Sequence, residues 1–212
     1  MRLNYHLETD QALEAAAARY EFVLVPGLQD SGPEHWQTCW QNHQPFWHRV
    51  TQRNWNTPDI DLWINSITRL LLRCPRPAIL VGHSFGALAS CCVAVDLPEL
   101  VAGLMLVAPA EPMKFELEDR IPNQNLGVPS ILVASQNDPL MRFSRASEWA
   151  ATWHSHLIDI GEAGHINAES GFGPWRYGLD ALHTLVQKID AANTSTSVVP
   201  SQVPAPEKPL AH

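Results

Sequence analysis

At 212 residues and 45% hydrophobic, the chain can bury the core of one domain, and a net charge of −8 with no Lys/Arg cluster argues against a nucleic-acid partner. No apolar run approaches the ~20 residues that span a bilayer, and Met1 to Glu8 lacks the apolar stretch of a secretory signal. Cys39, Cys74, Cys91 and Cys92 form neither a Cys-x-x-Cys pair nor a disulfide scaffold, so a soluble, cytoplasmic globular protein with no membrane partner is expected.

Residues 1–20 read as an N-terminal extension, partly helical through Gln11 to Arg19, with no evident packing partner. From residue 21 short apolar runs alternate with helical patterns. Strands are predicted at Phe22–Val25, Trp47–Val50, Ala78–Val81, Leu104–Val107, Ser130–Val133 and Leu157–Ile160. Helices are predicted at about 34–43, 59–73, 85–96, 143–154 and 174–189. Val/Ile/Leu runs without strict alternation suit strands covered on both faces. Their alternation with helices implies βαβ units: an α/β domain over 21–190 with a doubly wound, mostly parallel six-stranded sheet. Residues 191–212 turn Ser/Thr/Pro-rich and are expected to be disordered.

The densest signal is Gly82-His83-Ser84-Phe85-Gly86, a Gly-x-Ser-x-Gly joining the third predicted strand to a small-residue helix. In that setting a sharp turn lifts a serine hydroxyl clear of the sheet, and flanking glycines relieve the crowding. Ser84 is therefore the candidate nucleophile; a serine that merely caps the helix is the plainer alternative. A serine needs a base, and the base a carboxylate to orient it. Both follow in order on loops after strands: Asp138 in Ser135-Gln136-Asn137-Asp138-Pro139, and His165 in Gly164-His165-Ile166-Asn167. An Asx turn at Asp138 and an ordinary loop histidine at His165 are the competing readings. Glu162 and Asp159 compete less well with Asp138, because they share the histidine's own strand or loop.

Two backbone N–H groups should face the oxyanion. Phe85, next after the serine, supplies one; Leu28, in Pro26-Gly27-Leu28-Gln29-Asp30, supplies the other, with Gly27 turning the chain back toward Ser84. Gly27, His35, Trp36, His83, Met141 and Trp175 are candidate pocket residues, and Phe85 and Phe115 plausible walls; Trp36 reads equally well as core. No metal site and no Gly-rich phosphate cradle is evident, so no cofactor is expected.

The chain resembles the small, lidless α/β-hydrolases related to retinoblastoma-binding protein nine, and a bacterial branch of that group. The resemblance rests on Val25-Pro26-Gly27-Leu28 through Ser31-Gly32-Pro33-Glu34-His35-Trp36, on the segment around Ser84, and on Ser135 to Pro139. It continues through Gly164-His165-Ile166-Asn167 and Ser170 to Trp175, and covers roughly residues 20–188. It implies a six-stranded parallel sheet, Ser84, Asp138 and His165 as a triad, and hydrolysis of an ester or related acyl bond in a small-molecule substrate. The Leu-x-Cys-x-Glu partner motif of the human relative is absent, since Leu72-Arg73-Cys74-Pro75-Arg76 ends in arginine, so a retinoblastoma-type partner is not supported and protein partners are left unassigned. The stretch between Ala108 and Val128 is too short for a large cap and leaves room for a small flap around Glu111 to Leu117. A hydrolase fold used for binding, and a triad that transfers the acyl group to an acceptor other than water, remain open at this level.

Overall fold

The computed structural model describes residues 2–196. Six strands, β1 (Glu21–Val25), β2 (Trp47–Arg49), β3 (Ala78–His83), β4 (Val101–Val107), β5 (Ser130–Ala134) and β6 (His156–Asp159), form one sheet in the order β2-β1-β3-β4-β5-β6. Every neighbouring pair is parallel. Between them run α1 (Arg2–Ala16), α2 (Trp36–His43), α3 (Ile60–Leu71), α4 (Phe85–Asp96), α5 (Phe143–Trp153) and α6 (Arg176–Thr196).

Successive strand side chains point to opposite faces, and both faces are covered, which explains the unbroken apolar runs. Val23, Val25, Leu80, Leu106 and Leu132 pack on one side with Trp63 and Ile67 of α3, Leu88 of α4 and Trp153 of α5. Phe22, Leu24, Ile79, Met105 and Ile131 pack on the other with Leu13 of α1, Trp36 and Trp40 of α2 and Leu182 of α6. Helix α4 lies deepest, buried from Phe85 to Ala94; its Gly, Ala, Ser and Cys residues allow that close approach.

Most boundaries shift by one or two residues, and three differences are larger or structurally telling. Strand β4 begins at Val101, and β3 runs on through Gly82 and His83, because pairing with β4 continues to His83 opposite Val107. The extension at the start of the chain has a partner after all: α1 packs on α6, with Leu13 and Ala16 each 1% exposed. Thr9 Oγ1 donates to Asp180 Oδ1 at 2.8 Å and the Tyr20 hydroxyl to Asp190 Oδ1 at 2.8 Å. Helix α6 thereby continues to Thr196, so residues 191–196, expected to be disordered, are helical. Asn193 Nδ2 donates to the Tyr20 hydroxyl at 3.1 Å, a tie that no local propensity encodes. The rest of the expected disordered tail lies outside the described residues.

The β4–β5 connection carries only a short turn of 3₁₀ helix, Pro112–Phe115, in place of a cap domain. The carboxyl ends of β1, β3, β5 and β6 consequently open onto one surface cavity.

Candidate active site

Ser84 ends β3 and begins α4 with φ +54° and ψ −121°, a conformation rarely adopted outside glycine. Its N–H donates to the Val107 carbonyl at 3.0 Å and its carbonyl accepts from Ala87 N at 3.1 Å, so both neighbouring elements hold the turn. The glycines have physical causes. A Cβ on Gly82 would lie 2.7 Å from Ala87 Cα, and one on Gly86 would collide with the Val25 and Pro26 carbonyl oxygens. A Cβ on Gly27 would stand 2.9 Å from Ser84 Cβ, so the loop after β1 passes directly over the serine.

The three side chains expected together are together. His165 Nε2 lies 2.9 Å from Ser84 Oγ, and His165 Nδ1 lies 2.9 and 3.0 Å from the two Asp138 oxygens. The carboxylate cannot donate, so Nδ1 carries the proton and Nε2 is left to accept from the serine hydroxyl. The Asp138 side chain is 4% exposed and Oδ1 also accepts from Leu140 N at 2.8 Å. The Asx turn and the carboxylate–imidazole contact therefore coexist at one residue.

The two loops that bring Asp138 and His165 into register are laced by residues whose role the sequence reading did not assign. Ser135 Oγ donates to Asn137 Oδ1 and accepts from Ala163 N, both at 2.9 Å, while Asn137 Oδ1 accepts from Gly164 N at 2.7 Å. His165 N donates to Ser170 Oγ at 3.2 Å. Gly164 takes φ +56°, and Ser170 Oγ occupies the space a Cβ would need. The buried Gln37 is another such clip. Its Nε2 donates to the carbonyls of Val25 (3.3 Å) and Val81 (3.0 Å), and its Oε1 accepts from Ser31 Oγ at 2.6 Å. A polar residue inside an otherwise apolar helical stripe is the only sequence signal for it.

His83 is buried beside the serine. Its Nε2 lies 3.0 Å from the His165 carbonyl, an obligate acceptor, so Nε2 holds the proton and the ring fixes the backbone of His165. Burial, reinforced by the neighbouring His165 and His35, holds the His83 pKa far below the ordinary histidine range. His35 caps α2, its Nδ1 accepting from Gln37 N at 3.2 Å, which leaves the proton on a buried Nε2 without a partner. Burial first, then the Arg49 guanidinium, pushes the His35 pKa down to about 4. Both rings are neutral donors at neutral pH, and neither competes with His165 as base.

The cavity over Ser84 has a volume of about 510 Å³; Leu28, Phe115 and Leu140 supply apolar wall, and Asp30, His35 and Glu169 supply polar wall. Of the expected pocket residues, His35 and His83 line it, as does Phe115. The others do not. Gly27 abuts the Ser84 Cβ and the His83 carbonyl without lining the cavity. Trp36 is 0% exposed and donates from Nε1 to the Ile166 carbonyl at 2.9 Å, so its indole is a brace under the histidine loop. Trp175 stacks on Trp40 at 5.9 Å within that same aromatic layer. Met141 is 3% exposed and packs beneath Asp138 beside Ala108 and Ala134. The Phe85 ring turns inward against Trp63, leaving its backbone as the part near the serine. Leu28 N has no backbone acceptor among the described residues, and Phe85 N is the first amide of α4, where no intrahelical acceptor exists.

Among the described residues one set of metal-ligand types converges, Glu21, His48 and Cys74, at the opposite end of the sheet. There Glu21 is engaged by His48 at 2.9 Å and Arg76 at 2.6 Å. Among those residues, too, no helix is long and apolar enough to cross a membrane.

A parallel α/β sheet with a serine on a strained strand–helix turn, backed by an imidazole and a carboxylate, defines the α/β-hydrolase fold. The family model described as serine hydrolase matches residues 22–184, and the chain belongs to that family. The structure of a protein described as a YdeN-like hydrolase from Pectobacterium atrosepticum is similar at 53% identity, covering 86% of this chain and 98% of its own, with a TM-score of 0.84. The ydeN gene product of B. subtilis shares the fold at 18% identity and TM-score 0.68, over 79% of this chain and 99% of its own. An α/β-superfamily protein of Xanthomonas campestris pv. campestris does so at 17% identity and TM-score 0.56, over 83% and 99%. No protein of curated function matches the chain.

Proposed function

We propose that the protein is a carboxylesterase-like serine hydrolase that cleaves esters of small acyl groups, with Ser84, His165 and Asp138 as its catalytic triad. The observation that carries this reading is the continuous hydrogen-bond chain from Ser84 Oγ through His165 to Asp138, at 2.9 Å on each side of the ring. In the reaction Ser84 Oγ attacks the carbonyl carbon while its proton passes to His165 Nε2, and Asp138 stabilises the imidazolium so formed. The Phe85 and Leu28 N–H groups receive the oxyanion. The tetrahedral intermediate collapses, the alcohol leaves with the proton from Nε2, and water repeats the sequence to release the acid and free Ser84. The open cavity, floored by two neutral imidazoles and walled in part by Asp30 and Glu169, favours a small uncharged acyl group over an anionic one. Four free cysteines agree with work in the cytoplasm.

Steady-state hydrolysis of p-nitrophenyl esters of graded chain length tests the proposal. Acetate and butyrate esters should turn over, longer acyl chains more slowly, with loss of about 10⁴-fold or more in kcat for Ser84→Ala. Turnover unchanged in that variant would remove the serine mechanism. A folded protein that turns over none of the esters would leave the site to binding or acyl transfer.

A further inference from the structure

Outside the Ser84 cavity the chain carries a second, differently charged concavity. Arg49, Arg53, Arg69, Arg73 and Arg76 are five of only fourteen basic residues in a protein of net charge −8. Four of them gather where edge strand β2 and its following loop meet α3. One groove of about 450 Å³ is lined by Arg49, Arg69 and Arg73 with Thr51 and Ser66. A second, of about 660 Å³, adjoins it through Thr51, Ser66 and Arg69 and adds Gln52, Arg53 and Asn54.

The arginines are not consumed by carboxylates. Of the four in the groove Arg49 alone is paired, with Asp30, and it also donates to the Ser31 carbonyl and to Thr38 Oγ1, each at 2.8 Å, so it forms a fixed wall. Among the described residues Arg53, Arg69 and Arg73 make no ion pair, and Arg69 Nη2 reaches only Ser66 Oγ, at 3.0 Å. The acids of neighbouring α3 are committed elsewhere: Asp59 caps the helix and Asp61 pairs with Arg120. Gln52 adds an independent sign, since its Oε1 and Nε2 are both buried without a partner on the wall of the second groove.

We infer that this groove binds a small molecule carrying two or more phosphate or carboxylate groups. Guanidinium forks pair with such oxyanions through two parallel N–H donors. Thr51 and Ser66 supply hydroxyls, and the Gln52 amide supplies the donor and acceptor that polar substituents would meet. Both volumes fall within the roughly 300–1,000 Å³ of small-molecule sites. The negative charge on the remainder of the protein disfavours a long polyanion, which would have to cross it.

Isothermal titration of the full chain with inorganic pyrophosphate, and separately with citrate, distinguishes the phosphate from the carboxylate form of the ligand. At least one should bind with Kd below about 1 mM at low salt, and affinity should fall as the charges are screened. Arg69→Ala/Arg73→Ala should weaken binding at least about tenfold. Both side chains are exposed, and an unchanged melting temperature would show the fold intact. Ser84→Ala should bind as the parent does. Absence of heat for both anions up to about 10 mM, equal affinity in the double variant, or loss of binding in Ser84→Ala would each overturn the assignment.

Discussion

At the carboxyl ends of the strands, Gln29, Asp30, Ser84, Ala108 and Ile166 all hold left-handed φ values, between +42° and +65°. Among the described residues two other non-glycine residues have positive φ: Glu116 (+56°) ends the 3₁₀ turn of the β4–β5 connection, and His154 (+55°) merely terminates α5 ahead of β6. Each such residue costs of order 1–3 kcal/mol and persists only where its surroundings over-determine it. Those surroundings are present at the carboxyl end. Val107 and Ala87 hold Ser84, Trp55 and Arg49 hold the Gln29–Asp30 turn, and Ala163 with Trp36 holds Ile166. The contrast teaches that five of the seven such residues gather at the end of the sheet where the Ser84 hydroxyl meets the His165 imidazole, while the other two only end helices.

The largest effect that tests this contrast belongs to Asp138. Asp138→Asn should leave folding intact yet lower kcat about 10⁴-fold, because an amide can stabilise the wrong tautomer of His165. Steady-state ester kinetics beside a thermal melt would show it. Next comes Gly86→Ala, where the new Cβ meets the backbone carbonyls of Val25 and Pro26. Those backbone atoms close β1 and begin the loop after it and cannot swing aside as a side chain would, so the loss should be about 3 kcal/mol by urea denaturation.

A pH prediction follows from the buried imidazoles. The His35 pKa falls from 6.5 to about 4 on folding, so between those values the unfolded chain binds the extra proton. Stability is therefore full above pH 6.5 and declines as pH falls toward 4, by on the order of 3 kcal/mol from this residue. His83, also shifted downward, acts in the same direction. His35→Asn keeps a capping acceptor on α2 and should flatten that part of a plot of melting temperature against pH. The smallest effect is expected at the other end of the sheet. His154→Gly relieves left-handed strain at the loss of the Asn125 contact, and should change stability by no more than about 1 kcal/mol with ester turnover unaltered.

The order Ser84, Asp138, His165 was legible because each lies one or a few residues beyond an apolar run, and parallel topology gathers such positions at one end. The six strands were legible for the same reason. Pocket walls were not. Trp36, Met141 and Trp175 look like substrate contacts in a linear string, yet burial turns all three inward, while Leu140 and Glu169 reach the cavity through loop geometry that has no period. The docking of α1 on α6 also escaped, since it depends on Thr9, Tyr20 and Leu13 meeting partners more than 160 positions away. Gln37, Ser135 and Asn137 illustrate a further limit. Their chemistry is ordinary, and only the carbonyls and amides facing them reveal what they hold.

The central claim is that Ser84 is activated by His165. Labelling the purified protein with a fluorophosphonate, followed by peptide mapping, tests it most directly. One adduct on Ser84 within minutes, lost in His165→Ala while that variant stays folded, is the predicted result. A folded parent that takes up no label, or a His165→Ala variant labelled as fast as the parent, would contradict it.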